Sequence, residues 1–86
     1  MIYRYRSNVL DQLIRHGVRP RPTTPPQLVH DFLNDLYRYE LRRLRHALVT
    51  GAIPRAGYVD RVVALRVKYP LISCRAAEWL EGSDGG

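Results

Sequence analysis

The longest regular pattern of apolar and polar positions runs from Pro25 to Thr50. Apolar side chains recur there at Leu28, Val29, Phe32, Leu33, Leu36, Tyr37, Leu41, Leu44 and Leu48. The steps are mostly three and four, the spacing that gathers residues on one face of an α-helix. Both ends carry stop and start signals. Thr24 is placed to cap the first turn, Pro25 suits the first helical position, and Gln27 three residues after Thr24 completes a capping-box pattern. Gly51 can adopt the left-handed conformation that closes a helix. The pattern therefore predicts a helix over about 25–50, roughly 35–40 Å long. The adjacent pairs Leu28/Val29, Phe32/Leu33 and Leu36/Tyr37 make its stripe too broad for one partner helix to cover. In the second half the stripe narrows, and Arg38, Arg42, Arg43, Arg45 and His46 crowd the remaining surface.

Three shorter helices are expected around this one. Val9, Leu10, Leu13 and Ile14 form an apolar face between Ser7, a plausible cap, and Gly17, which gives a first helix over about 8–16. The proline-rich stretch 18–24 reads as a stiff, extended spacer. Arg19, Pro22 and Pro25 also match the R-x-x-P-x-x-P pattern that proline-reading grooves accept, but a rigid connector explains the same prolines. Beyond a short connection, Tyr58, Val62, Leu65 and Tyr69 predict a third helix over about 54–69, antiparallel to the central one. Being shorter, it should cover the C-terminal half of the central helix and leave the other half to the first and last helices. Pro70 ends it. Ser73 then caps a fourth helix over about 73–81 containing Ala76, Ala77, Trp79 and Leu80, with Trp79 in the core. Residues 82–86, GSDGG, are expected to be a disordered tail.

The fold class is thus all-α: a small four-helix bundle-like domain spanning 1–81 with a central antiparallel helical hairpin. An α+β alternative comes from the alternation of Tyr3 and Tyr5 with Arg4 and Arg6, and from the valine-rich third segment, in which Leu65 to Tyr69 alternates like a strand. Residues 2–6 and 65–69 would then pair as strands.

Composition narrows the function more than it defines it. The chain has 86 residues, 45% of them hydrophobic, as expected of one folded domain. With a single cysteine it can form neither an internal disulfide framework nor a cysteine-cluster zinc site. No signal-peptide pattern or membrane-length apolar run is present, so a cytoplasmic, soluble protein without a membrane partner is the expectation. The net charge is +6, carried by thirteen Arg and one Lys against eight carboxylates. A skew toward Arg arises from GC-rich coding as readily as from phosphate recognition. The excess is uneven: residues 1–22 carry +4, 23–50 carry +1, 51–70 carry +3 and 71–86 carry −2.

Catalytic vocabulary is sparse. His16, His30 and His46 have no i,i+3 or i,i+4 relation to one another, so no metal centre is expected. Cys74 lies in what would be the first turn of the last helix, where amides favour a thiolate, but no neighbouring base stands out in the sequence. No phosphate-binding loop, dinucleotide fingerprint or nucleophile elbow occurs. Neither enzymatic activity nor a cofactor is expected.

Two binding readings remain. The first is association with another protein or with itself, as a homodimer, through Leu28, Val29, Phe32, Leu33, Leu36 and Tyr37. The excess width of the stripe and the six tyrosines of the chain favour it. The second, less favoured, is binding of nucleic acid or another polyanion through Arg38, Arg42 and Arg45, spaced four and three along one side of the central helix. Asp31 and Asp35 extend that face with opposite sign and keep the basic patch short. A helix-turn-helix reading of helices three and four is weak, because Glu78 and Glu81 would face the phosphates.

Overall fold

Each glycine that follows a long helix closes it by the same device. At the end of α1 (Ser7–Arg15), Gly17 takes φ 75°, Val18 N–H donates to the Leu13 carbonyl, and Gly17 N–H donates to Ile14. At the end of α2 (Pro26–Val49), Gly51 takes φ 79°, Ala52 N–H donates to Ala47, and Gly51 N–H donates to Leu48. Both are Schellman closures, in which a left-handed residue turns the next amides back onto the orphan carbonyls. The computed structural model describes residues 1–82. Besides these two helices it contains α3 (Tyr58–Lys68) and three short 3-10 turns, Arg55–Gly57, Pro70–Ser73 and Ala76–Trp79. The chain is all-α and extended, 48 × 22 × 18 Å. Among the described residues no helix is long and apolar enough to cross a membrane.

The helix starts differ from the sequence expectation. Pro25 is extended, at ψ 131°, and the helix begins at Pro26. The second proline decides this, because the residue before a proline is pushed out of the α region. Thr24 then lies one residue too early to cap. Its hydroxyl accepts from Arg21 N–H in the preceding turn, while Gln27 donates to Asp31 rather than completing a capping box. Ser7 likewise is the first residue of α1, not its cap. Arg6 is held extended by donating its N–H to the Trp79 carbonyl, and its own carbonyl accepts the first helical amides.

The fourth helix over 73–81 is not formed, and with it the four-helix bundle. Two 3-10 turns stand there, separated by extended backbone at Cys74 and Arg75. The segment has too few residues to sustain a helix by itself, and its tertiary contacts require another path. Leu71, Ala76 and Trp79 must all reach the interior, and Leu80 pairs as an antiparallel bridge with Tyr5. Arg6 N–H to Trp79 and Glu81 N–H to Arg4 are its two backbone hydrogen bonds. The strand pairing of 2–6 with 65–69 is therefore also corrected: Leu65 to Lys68 are helical, and the extended N-terminus lies against residues 79–81. The expected tail, 82–86, falls outside the described residues apart from Gly82.

The interior is built at one end of the molecule. Tyr5, Val9, Leu13, Val29, Leu33, Leu71 and Trp79 form the core cluster. Tyr3 N–H donates to the Pro22 carbonyl, and the Tyr5 hydroxyl to that of Thr24, which ties the proline-rich spacer to this core. No residue from 34 to 68 is buried. Beyond Leu33, then, α2 leaves the core and runs out with α3 antiparallel beside it, as a two-helix hairpin. Lys68 and Tyr69, at the end of α3, meet Glu40, while Ile53 N–H, in the connection, donates to the Ala47 carbonyl.

Candidate functional site

Where the hairpin joins the core, five titratable side chains converge. The Tyr69 hydroxyl donates to Glu40 Oε2, and Lys68 Nζ lies 3.0 Å from Glu40 Oε1. The His16 ring stacks on Tyr69 with centroids 4.5 Å apart, and Tyr37 meets Tyr69 edge-on at 5.6 Å. Burial and the hydrogen bond to Glu40 both raise the Tyr69 pKa. Burial alone works to raise the Glu40 carboxyl as well, but the hydrogen bonds from Tyr69 and Lys68, with the Lys68 charge, outweigh it and hold the pKa below the ordinary value. Burial, then the Lys68 charge, lowers the pKa of His16. This arrangement holds a neutral phenol against an ionised carboxylate whose two oxygens are both occupied. It is suited to fixing three helices together rather than to moving a proton.

The six residues expected to form one apolar interface are divided by the structure. Val29 and Leu33 belong to the core, with Leu33 fully buried at 0% exposure. They are not available to a partner, because the first and last segments of the chain cover them from α1 and from the turns around Leu71 and Trp79. Tyr37 is half-buried against Tyr69. Leu28 and Phe32 face outward, 62% and 47% exposed. With half-buried Leu36 and exposed Tyr39 they make a row on the outer side of α2, spaced four, four and three. A shallow hollow of roughly 420 Å³ lies over Leu28, Phe32 and Leu36, between Asp31 and Asp35. Farther along, the Arg43 guanidinium sits 6.0 Å from the Tyr39 ring centre. The pairs Leu28/Val29 and Phe32/Leu33 are thus each divided between solvent and core, whereas Leu36 and Tyr37 are both half-buried.

Arg38, Arg42 and Arg45 are all exposed and share a surface concavity with Asp35 and Leu41. Among the described residues none of the three has a carboxylate within ion-pair distance. Nor do the described residues bring together three His, Cys, Asp or Glu side chains. His30 Nε2 donates to the carbonyl of Cys74, at 3.0 Å, and its ring tilts over Trp79.

A further feature lies between α2 and α3. Leu44, Ala47, Ile53, Ala64 and Leu65 floor an open groove of roughly 470 Å³. Arg43, Arg61, Lys68 and Glu40 stand around it. In the sequence its only traces are the small residues Ala47 and Ala64, which line it from two separate helices. No protein-family model, curated protein or solved structure matches the chain.

Proposed function

We propose that the chain is a non-enzymatic helical association module, with the outward row of α2 as its interface and a second copy of itself as its first partner. The observation that carries this reading is the exposure of Leu28, Phe32 and Tyr39 in register on a helix whose opposite side is already spent on the core. The charges beside the row support a particular pairing. Asp31 and Asp35 flank its N-terminal half, and Arg42, Arg43 and His46 its C-terminal half. Two copies laid antiparallel along α2 bring opposite signs together, as a two-fold interface requires of a self-complementary patch. A parallel pairing opposes like signs.

Light scattering after size exclusion tests this on nuclease-treated protein at low and high salt. A dimer that becomes monomeric in the Leu28→Ala/Phe32→Ala double variant, with unchanged circular dichroism, is the expected result. A monomer at a concentration of about 100 µM, within reach of weak interfaces, would refute self-association.

The second reading is polyanion binding through Arg38, Arg42 and Arg45, favoured by their exposure and by the lack of a carboxylate partner among the described residues. Its signature differs, because neutralised phosphates release counterions and affinity falls steeply with salt. Fluorescence anisotropy with a single-stranded RNA oligonucleotide should then show a steep salt slope that flattens in the triple alanine variant.

A further inference from the structure

The two helices of the hairpin pack on each other, and the space beside their contact stays open. The floor is apolar at Leu44, Ala47 and Leu65, and the cations Arg43, Arg61 and Lys68 stand at its rim. Among the described residues the rim's one carboxylate, Glu40, already accepts from Lys68 and Tyr69. Residues 38–68 hold eight Arg and Lys against Glu40 and Asp60, so this segment alone carries the +6 of the whole chain.

We infer that the α2–α3 groove is a docking site for an acidic amphipathic helix of a partner protein. The apolar floor calls for an apolar stripe, since Leu44, Ala47 and Leu65 offer no side-chain donor or acceptor to a polar ligand. The rim calls for carboxylates on both flanks of that stripe. An apolar ridge laid between two helices is a recurrent way of seating a third, with contacts every three or four residues. The groove's lining residues run from Glu40 to Ala47 on α2 and from Arg61 to Lys68 on α3, a helical rise of about 10 Å on each side, which matches about two turns of a partner helix. A second copy of the hairpin is disfavoured here, because it would set +6 against +6. A nucleic acid would use the rim and leave the floor empty. The inference rests on the general reading of the chain as an association module but uses a different apolar surface from the α2 row, with Arg43 standing beside both.

The test is a titration of isotope-labelled full chain with a designed peptide of about 14 residues, leucines at helical spacing and glutamates beside them. A scrambled peptide of the same composition and a single-stranded RNA oligonucleotide serve as competitors. The expected result is saturable binding of the amphipathic peptide, with amide shifts centred on Leu44, Ala47, Ala64 and Leu65. Arg43→Glu/Arg61→Glu should weaken it about tenfold or more without altering the fold. Ala47→Phe, which fills the floor, should do the same, and Phe32→Ala should leave affinity within about twofold. Equal binding of the scrambled peptide, displacement of the peptide from these same residues by RNA, shifts centred on Leu28 and Phe32, or no saturation would each overturn the inference. Because dimerisation is read separately by light scattering, peptide binding without a dimer removes only the self-association reading. A dimer without peptide binding removes only the groove.

Discussion

The ring of His16, at the end of α1, lies stacked on that of Tyr69, at the end of α3, with centroids 4.5 Å apart. Their contact joins two elements that are 53 positions apart in the chain. Through the Tyr69 hydroxyl the stack continues to Glu40 of α2. Tyr69→Phe keeps the stack and removes the link to Glu40. Loss of one hydrogen bond to a charged group is expected to cost about 1–3 kcal/mol in urea denaturation. The Glu40 carboxyl, followed by carbon-detected titration, should shift upward, since one of the groups lowering it has gone. An unchanged Glu40 titration would separate the two residues.

Acidification should loosen the same junction. The folded state depresses the pKa of His16 below its ordinary 6.5 and that of Glu40 below its ordinary 4.5. In both cases the unfolded chain takes up protons first, so stability is full above the ordinary value and is lost as pH falls through the folded one. The melting temperature is expected to decline below about pH 6.5 and again below about pH 4.5. His16→Phe, which keeps a ring over Tyr69, should remove the first decline and leave the second. A variant that still shows the first decline would assign it to another group.

Phe32 and Leu33 are neighbours in sequence with opposite roles. Leu33→Ala empties a fully buried position and should cost about 2–5 kcal/mol. Phe32→Ala should cost about 1 kcal/mol or less in the monomer while lowering self-association. Denaturation measured at several protein concentrations separates the effects. A concentration-independent midpoint for the unaltered chain would count against the interface.

Gly51 tests the helix closure alone. It stands at φ +79°, and a Cβ built there meets no atom within 4 Å. Gly51→Ala therefore introduces backbone strain without a clash, with an expected loss of about 1–2 kcal/mol by thermal denaturation. A neutral result would mean that the connection rearranges.

Native-state hydrogen exchange should divide the chain at the junction. With no residue buried from 34 to 68, amides between Leu44 and Arg66 are expected to exchange through local opening well before those of Val9, Leu13 and Leu33. Uniform protection in the monomer would contradict this. Protection gained on adding a groove-filling peptide would be the converse observation.

The elements that could be read from sequence were those whose signals are local. The periodicity of α2, the glycine stops at Gly17 and Gly51, and the fate of Trp79 depend on a few adjacent residues, and all appear in the structure. Local rules in competition were harder. Thr24, Pro25 and Gln27 spelled a capping box, but Pro26 displaced the start by one residue and dissolved it. Non-local pairing was out of reach. Nothing near Leu80 indicates Tyr5 as its partner, so residues 73–81 read as a helix by default. For the candidate interface, the apolar pairs identified the right helix, but only the positions of the first and last segments decide that Leu33 is enclosed and Phe32 is not. The groove needed two helices side by side, which no single stretch encodes.

The bridge between Tyr5 and Leu80 has a consequence for how the chain tolerates change. It fastens the beginning of the described chain to its end, and the hydrophobic interior gathers about that clasp. The backbone departs past Leu33 and returns at Tyr69, and no side chain between them is enclosed. To the clasped end the intervening segment is an excursion. Lengthening or trimming it by whole helical turns on both arms would change the loop-closure cost only slightly, by about 0.6 kcal/mol for each doubling. The reach of this arm is accordingly a quantity that natural variation can adjust independently of the clasp, to suit whatever the arm has to touch.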